Sequence, residues 1–163
     1  MNTPKRTLSE MQQRVINADA LKHDVVNAKE MLRLEMLSSF KAYTKAMFKA
    51  QYKRNFIVAE HHEKIIKALQ DVVDGKCRRL IINIAPRYGK TELVIKSFIS
   101  WCFALNPKCR FLHLSYSDVL VADNSDTVRS IMQENLYKEL FPQSKLEKEK
   151  ASNKRWRTAA GGE

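Results

Sequence analysis

The sequence predicts an α/β fold, a small parallel sheet preceded by an N-terminal helical region, on three observations. An apolar, β-branched run (Leu80, Ile81, Ile82, Asn83, Ile84) turns sharply and passes into a segment whose apolar residues Leu93, Val94, Phe98, Trp101, Cys102 and Leu105 recur at helical spacing. A second alternating run, residues 110–115, is followed by another helical pattern, which is the order expected of a right-handed crossover between parallel strands. Residues 1–55 carry helical patterns alone, so the chain divides into a helical region, 1–55, and a nucleotide-binding core, 56–163.

Taken in order, Thr7, Leu8, Ser9 and Glu10 match a capping box, which places a helix start near Leu8 with Leu8, Met11 and Val15 on one face. A longer helix is expected from about Val25 to Lys53, because Val25, Ala28, Leu32, Met36, Phe40, Tyr43 and Met47 form one stripe at intervals of three and four. A stripe of that kind reads as core-facing rather than as a docking surface. Residues 55–59 form a connection. A helix then runs from Glu60 to Val73, with Ile65, Ile66, Leu69, Val72 and Val73 inward and Gly75 ending it through a left-handed residue. His61 and His62 lack the i+4 partner that a helical metal site uses and read as the helix start, the alternative being that one of them lies beside the adenine of a nucleotide. Asn106 and Pro107 stop the helix that starts near Lys90, and Ser117 caps the next, whose apolar positions are Val121, Val128, Ile131, Met132 and Leu136. Residues 145–154 read as a charged surface loop, and Arg155, Trp156, Arg157 and Thr158 as the start of a further strand.

At the junction of the first strand and its helix stand Gly89, Lys90 and Thr91. Strand, tight loop, Gly-Lys-Ser/Thr and helix make the phosphate-binding loop of P-loop nucleoside-triphosphatases. The first amides of a helix have no partner inside it, and the aligned peptide dipoles place positive charge there, so a polyphosphate can dock. Glycine lets the backbone approach closely, the lysine lies along the β- and γ-phosphates, and the threonine hydroxyl ligates Mg²⁺. Ile84 stands where the usual pattern has a further glycine. Such a fold also needs a strand ending in paired carboxylates, one for Mg²⁺ and one to activate water. No Asp-Glu pair occurs in the chain, and Asp118 and Asp123 lie on the helix after the second strand.

With 163 residues, 44% of them hydrophobic, the chain can build a core, and its formal charge of +11 favours an anionic partner. The charge is spread: residues 1–55 hold 11 basic and 5 acidic side chains, and residues 56–163 hold 18 and 13. Cys77, Cys102 and Cys109 are odd in number and lack CxxC spacing, which reads as reduced thiols. No apolar run approaches the length of a membrane span and no signal-peptide core is found, so the expected location is cytoplasmic.

The stretch Ile84, Ala85, Pro86, Arg87, Tyr88, Gly89, Lys90, Thr91, Glu92 resembles the Pro-Pro-Arg-His-Gly-Lys-Ser/Thr loop of bacteriophage terminase large subunits, the motors that package viral DNA. Further likeness lies in Phe98 to Trp101 with Asn106 and Pro107, in Leu114 to Ser117 with Leu120 to Ala122, and in Leu140 to Pro142 and Trp156 to Ala159, so it spans residues 56–163. The resemblance accounts for the missing glycine, because that family carries Pro-Arg in the loop. It implies ATP and Mg²⁺ as cofactors, Pro86, Arg87, Tyr88, Gly89, Lys90, Thr91 and Glu92 as nucleotide-binding residues, Thr91 as the metal ligand, and Arg87 as a catalytic residue directed at the γ-phosphate. Tyr88 departs from the family's usual histidine. The implied partners of the full-length family are double-stranded viral DNA, the portal and the small terminase subunit, in a bacterial host cytoplasm and then at the capsid. The family's acidic strand and nuclease domain have no counterpart here, so the expectation is an N-terminal fragment, from a phage or prophage, that binds ATP and Mg²⁺ with little or no turnover. Two alternatives remain: a basic, non-enzymatic DNA-binding or adaptor fragment, and a small P-loop enzyme that takes its carboxylate from Asp118 or Asp123.

Overall fold

A computed structural model describes residues 8–147 and 156–163, with side chains described from residue 22 onward. The expected capping box at Thr7, the face of Leu8, Met11 and Val15, most of the charged loop 145–154, and Arg155 therefore lie outside the described residues or side chains.

The described chain is a stack of helices. Helix α1 is Leu8–Ser38, α2 is Phe40–Tyr52 and α3 is Glu60–Val73. The helical run that begins at Lys90 contains a π-helical turn, Glu92–Ser97, and continues as α4, Phe98–Leu105. Helices α5, Asp118–Gln133, and α6, Asn135–Leu140, follow, and a 3₁₀ turn, Pro142–Ser144, ends the series.

The single helix expected from Val25 to Lys53 is two helices. Ser39 adopts an extended backbone (φ −134°, ψ 111°), and its hydroxyl accepts the Ala42 amide at 3.2 Å, so it ends α1 and caps α2. The apolar stripe is core-facing only in its second half. Met36, Phe40, Tyr43 and Met47 are buried, whereas Val25 is half exposed on α1. In α3, Ile65, Ile66 and Leu69 point inward as expected, and Gly75 takes the left-handed conformation (φ 75°) just beyond the helix. Val73, expected inward, is exposed.

At the centre lies the run from Lys90 to Leu105, packed by α1, α2, α3, α5 and α6. Trp101 is fully buried, and its Nε1 donates to the Met36 carbonyl at 2.8 Å. The Tyr43 hydroxyl donates to Ser100 Oγ at 2.8 Å, which donates in turn to the Lys96 carbonyl at 2.8 Å. From α6, the Tyr137 hydroxyl donates to the Ser100 carbonyl at 3.0 Å. Buried polar groups are costly unless paired, and the Trp101, Tyr43 and Tyr137 side chains each pair with a different part of the chain.

The parallel sheet is not formed. Among the described residues there is no strand ladder, and the one isolated bridge is antiparallel, between Leu146 and Thr158. Residues 79–85 and 110–115 are irregular, and no backbone hydrogen bond joins one to the other. The alternation that marked them as strands is nevertheless real. Ile82, Ile84, Cys109 and Phe111 pack on the helices, while Ile81, Leu112 and Leu114 are 93%, 84% and 78% exposed. One-sided burial fixes where side chains point, but a ladder also needs a second backbone in register, and the two segments do not supply it to one another. Of the further strand expected from residue 155, the described residues 156–158 carry only the bridge at Thr158.

The last described residues close against the exit of α4. Thr158 Oγ1 donates to the Pro107 carbonyl, and Glu163 accepts from the Phe111 amide at 2.7 Å while donating to the Cys109 carbonyl at 3.0 Å. Gly162 sits in this seam. A Cβ there would lie 2.2 Å from the Pro107 oxygen and 2.8 Å from the Cys109 oxygen, both main-chain atoms. Gly162→Ala should therefore destabilise the protein by about 1–3 kcal/mol, as overpacking does, whereas Leu112→Ser on the exposed face should change stability by about 0.5 kcal/mol or less. Urea denaturation of the two variants beside the wild type checks both.

Candidate functional site

Residues 86–92 leave the first extended segment and enter the central helical run. Two of them have positive φ, Arg87 at 67° and Gly89 at 74°. Glycine adopts this conformation freely, but for arginine it costs on the order of 1–2 kcal/mol. Strain of this kind persists where surrounding structure holds it, and it clusters at binding sites.

The loop delivers its backbone to the start of a helix. Among the described residues, no main-chain or side-chain acceptor takes the N–H groups of Gly89, Lys90 or Thr91, and the first turn closes with Leu93 N–H donating to the Gly89 carbonyl at 3.0 Å. Lys90 and Thr91 are exposed, as are Pro86, Arg87 and Tyr88. Three open amides, with an exposed lysine and threonine among them, thus stand at the positive end of a helix dipole. Arg87 shares the loop and is open to solvent.

Glu92 is placed differently from the rest of the expected set. Its carboxylate pairs with Lys96 at 3.1 Å and accepts from the Tyr52 hydroxyl at 3.4 Å, with both charged side chains largely buried. Burial, then the neighbouring Glu92 charge, raises the Tyr52 pKa, so the phenol stays a donor. The cluster lies in the π-helical turn and ties it to α2. π-Helical turns recur at functional sites, and this one begins one residue after Thr91.

For Mg²⁺, the loop offers the Thr91 hydroxyl, and no group of three or more His, Cys, Asp or Glu side chains that could hold a metal occurs among the described residues. A metal at this site would therefore draw most of its oxygen ligands from a polyphosphate and water, which suits Mg²⁺. Asp118 opens α5 and Asp123 lies within it, so neither is part of the loop.

His61 and His62, expected as a helix start or, for one of them, beside an adenine, both stand against the loop. Ala59, at the N-cap of α3, has no side-chain acceptor, and His62 supplies the reciprocal contact by accepting the Ala59 amide on Nδ1 at 3.1 Å. The His62 Nε2 atom lies 2.8 Å from where a Cβ on Gly89 would be. The His61 ring is 3.9 Å from the His62 ring and meets Tyr88 edge to face at 5.4 Å. His61 Nε2 is buried without a hydrogen-bond partner. The sequence signal that could have found the pair is a helix whose N-cap is alanine and whose third position carries a ring acceptor.

The three cysteines are free, and burial pushes the Cys102 thiol pKa up to about 12, which leaves it unreactive. No described helix is long and apolar enough to cross a membrane. No known protein family, curated protein or solved structure matches the chain.

His62 also gives the fold a pH dependence. Burial and the adjacent His61 lower its pKa from the ordinary 6.5, against the opposing pull of main-chain contacts to Tyr88 and Ile57. The folded state thus prefers neutral His62, so its contribution is complete above the unfolded value of 6.5 and declines as pH falls from there through the folded value. Urea midpoints measured from about pH 7.5 down to about pH 5 should fall, and His62→Gln should flatten the decline.

Proposed function

We propose that residues 86–91 bind the polyphosphate of a nucleotide, with the amides of Gly89, Lys90 and Thr91 and the Lys90 ammonium on the phosphates. The observation that carries this reading is the set of three unsatisfied amides behind an exposed lysine, presented by a loop with two left-handed residues. Glycine at the second of those positions and a hydroxyl after the lysine fit ATP with Mg²⁺, which the Thr91 hydroxyl would help to hold and which would neutralise phosphate charge. The buried, unpartnered nitrogen of His61 beside Tyr88 adds a polar atom that a bound ligand can satisfy.

The resemblance of residues 56–163 to terminase large subunits extends the proposal: the chain corresponds to the N-terminal part of a DNA-packaging motor, with viral DNA, portal and small subunit as partners of the whole. Its support is the loop sequence, including Arg87 in the position from which a guanidinium can approach a γ-phosphate. The sheet that the same resemblance implied is absent among the described residues, so the fold lends it nothing. ATP-driven motors of this kind use a carboxylate to activate the attacking water. Glu92, the acid nearest the loop in sequence, is held by Lys96 and Tyr52, so little or no turnover is expected of this chain.

Lys90→Ala should weaken binding of a fluorescent ATP analogue by at least about tenfold, the loss of one charge-assisted contact, without moving the urea midpoint. Unchanged affinity in that variant, or steady-state ATP turnover of about one per second or faster by the wild type, contradicts the proposal.

A further inference from the structure

Resting on the polyphosphate reading, we propose that His62 is a positioning residue that holds the loop in its binding shape. Its imidazole is fixed on every side that matters. Nδ1 accepts the Ala59 amide, so in the neutral ring the proton sits on Nε2, the nitrogen that faces Gly89. The His61 ring, tilted by 53°, lies beside it with centroids 3.9 Å apart, and the Phe56 ring approaches at 5.1 Å. A main-chain contact links the ring to Tyr88, the residue between the two with positive φ.

The left-handed backbone at Gly89 turns the space where a side chain would stand toward His62, and the ring occupies it. One imidazole therefore does two things. It completes the start of α3, where alanine cannot, and it fills the concavity under the loop, so that Gly89 cannot relax from its left-handed conformation without opening a gap against the ring. Binding sites gain affinity from such preorganisation, because the ordering cost is met before the ligand arrives. His62 touches no phosphate in this account; it acts through the main chain of Tyr88 and Gly89.

Glutamine separates this role from general helix capping. It can accept the Ala59 amide with Oε1 and donate toward Tyr88 with Nε2, whereas alanine does neither. Titration calorimetry with inorganic triphosphate, run on wild type, Lys90→Ala, His62→Ala and His62→Gln with a thermal melt of each, tests the proposal. The expected result is a loss of about tenfold or more for His62→Ala and a change within about threefold for His62→Gln. Wild-type affinity in folded His62→Ala overturns the proposal while leaving the loop reading intact, provided Lys90→Ala still fails to bind. Equal losses in His62→Ala and His62→Gln overturn the donor–acceptor role. No binding by the wild type, or full binding by Lys90→Ala, removes the loop reading and this inference with it. Should His62→Ala not fold, the His62 ring-proton resonance of the wild type decides: it should shift saturably with added triphosphate, and a resonance that stays put overturns the proposal.

Discussion

The position of the loop depends on a buried hydrogen-bond relay at Ser100. Its hydroxyl accepts a hydrogen bond from Tyr43 of α2 and donates its own to the Lys96 carbonyl, and its main-chain carbonyl accepts from Tyr137 of α6. Burial raises the pKa of both phenols, so each remains a neutral donor across the ordinary pH range. Ser100 has no exposed surface, and sliding the central helix along its axis would strand three polar groups out of contact with water. Trp101, one residue on, fixes the helix against α1 through the Met36 carbonyl. With its middle held this way, the helix presents its N-terminus, and the loop before it, in one place.

The helices were legible because a 3.6-residue period is a property of a single segment. The stripe through Met36, Phe40, Tyr43 and Met47 identified the core face of α2 and the end of α1, and Ile65, Ile66 and Leu69 did the same for α3. The break at Ser39 was missed, although two consecutive serines carry cap chemistry, because the stripe continues through it in phase. The parallel sheet was misjudged for a different reason. Alternation in residues 80–84 and 110–115 reports that one face is buried, and Ile82, Ile84 and Phe111 do lie on the helical layer. Pairing belongs to two backbones at once, and no period within one segment reports it.

The loop was legible in part. Gly89, Lys90 and Thr91 announce themselves by residue type, and the structure leaves their amides open. The left-handed Arg87 could not be read, since arginine gives no local sign of that conformation. Glu92 looked like one more loop residue until Lys96 and Tyr52 were seen to hold it. The place of the two histidines is not legible from metal-ligand spacing, because it depends on the deficiency of Ala59 as a cap and on the empty side of Gly89.

The central claim is that the amides opening the central helix are free to take an anion. A ¹⁵N–¹H NMR titration with inorganic triphosphate tests it most directly. The account predicts saturable shifts largest at the amides of Gly89, Lys90 and Thr91, with those of α5 and α6 little moved. Shifts spread evenly over the exposed lysines, with these three amides unchanged, would contradict it.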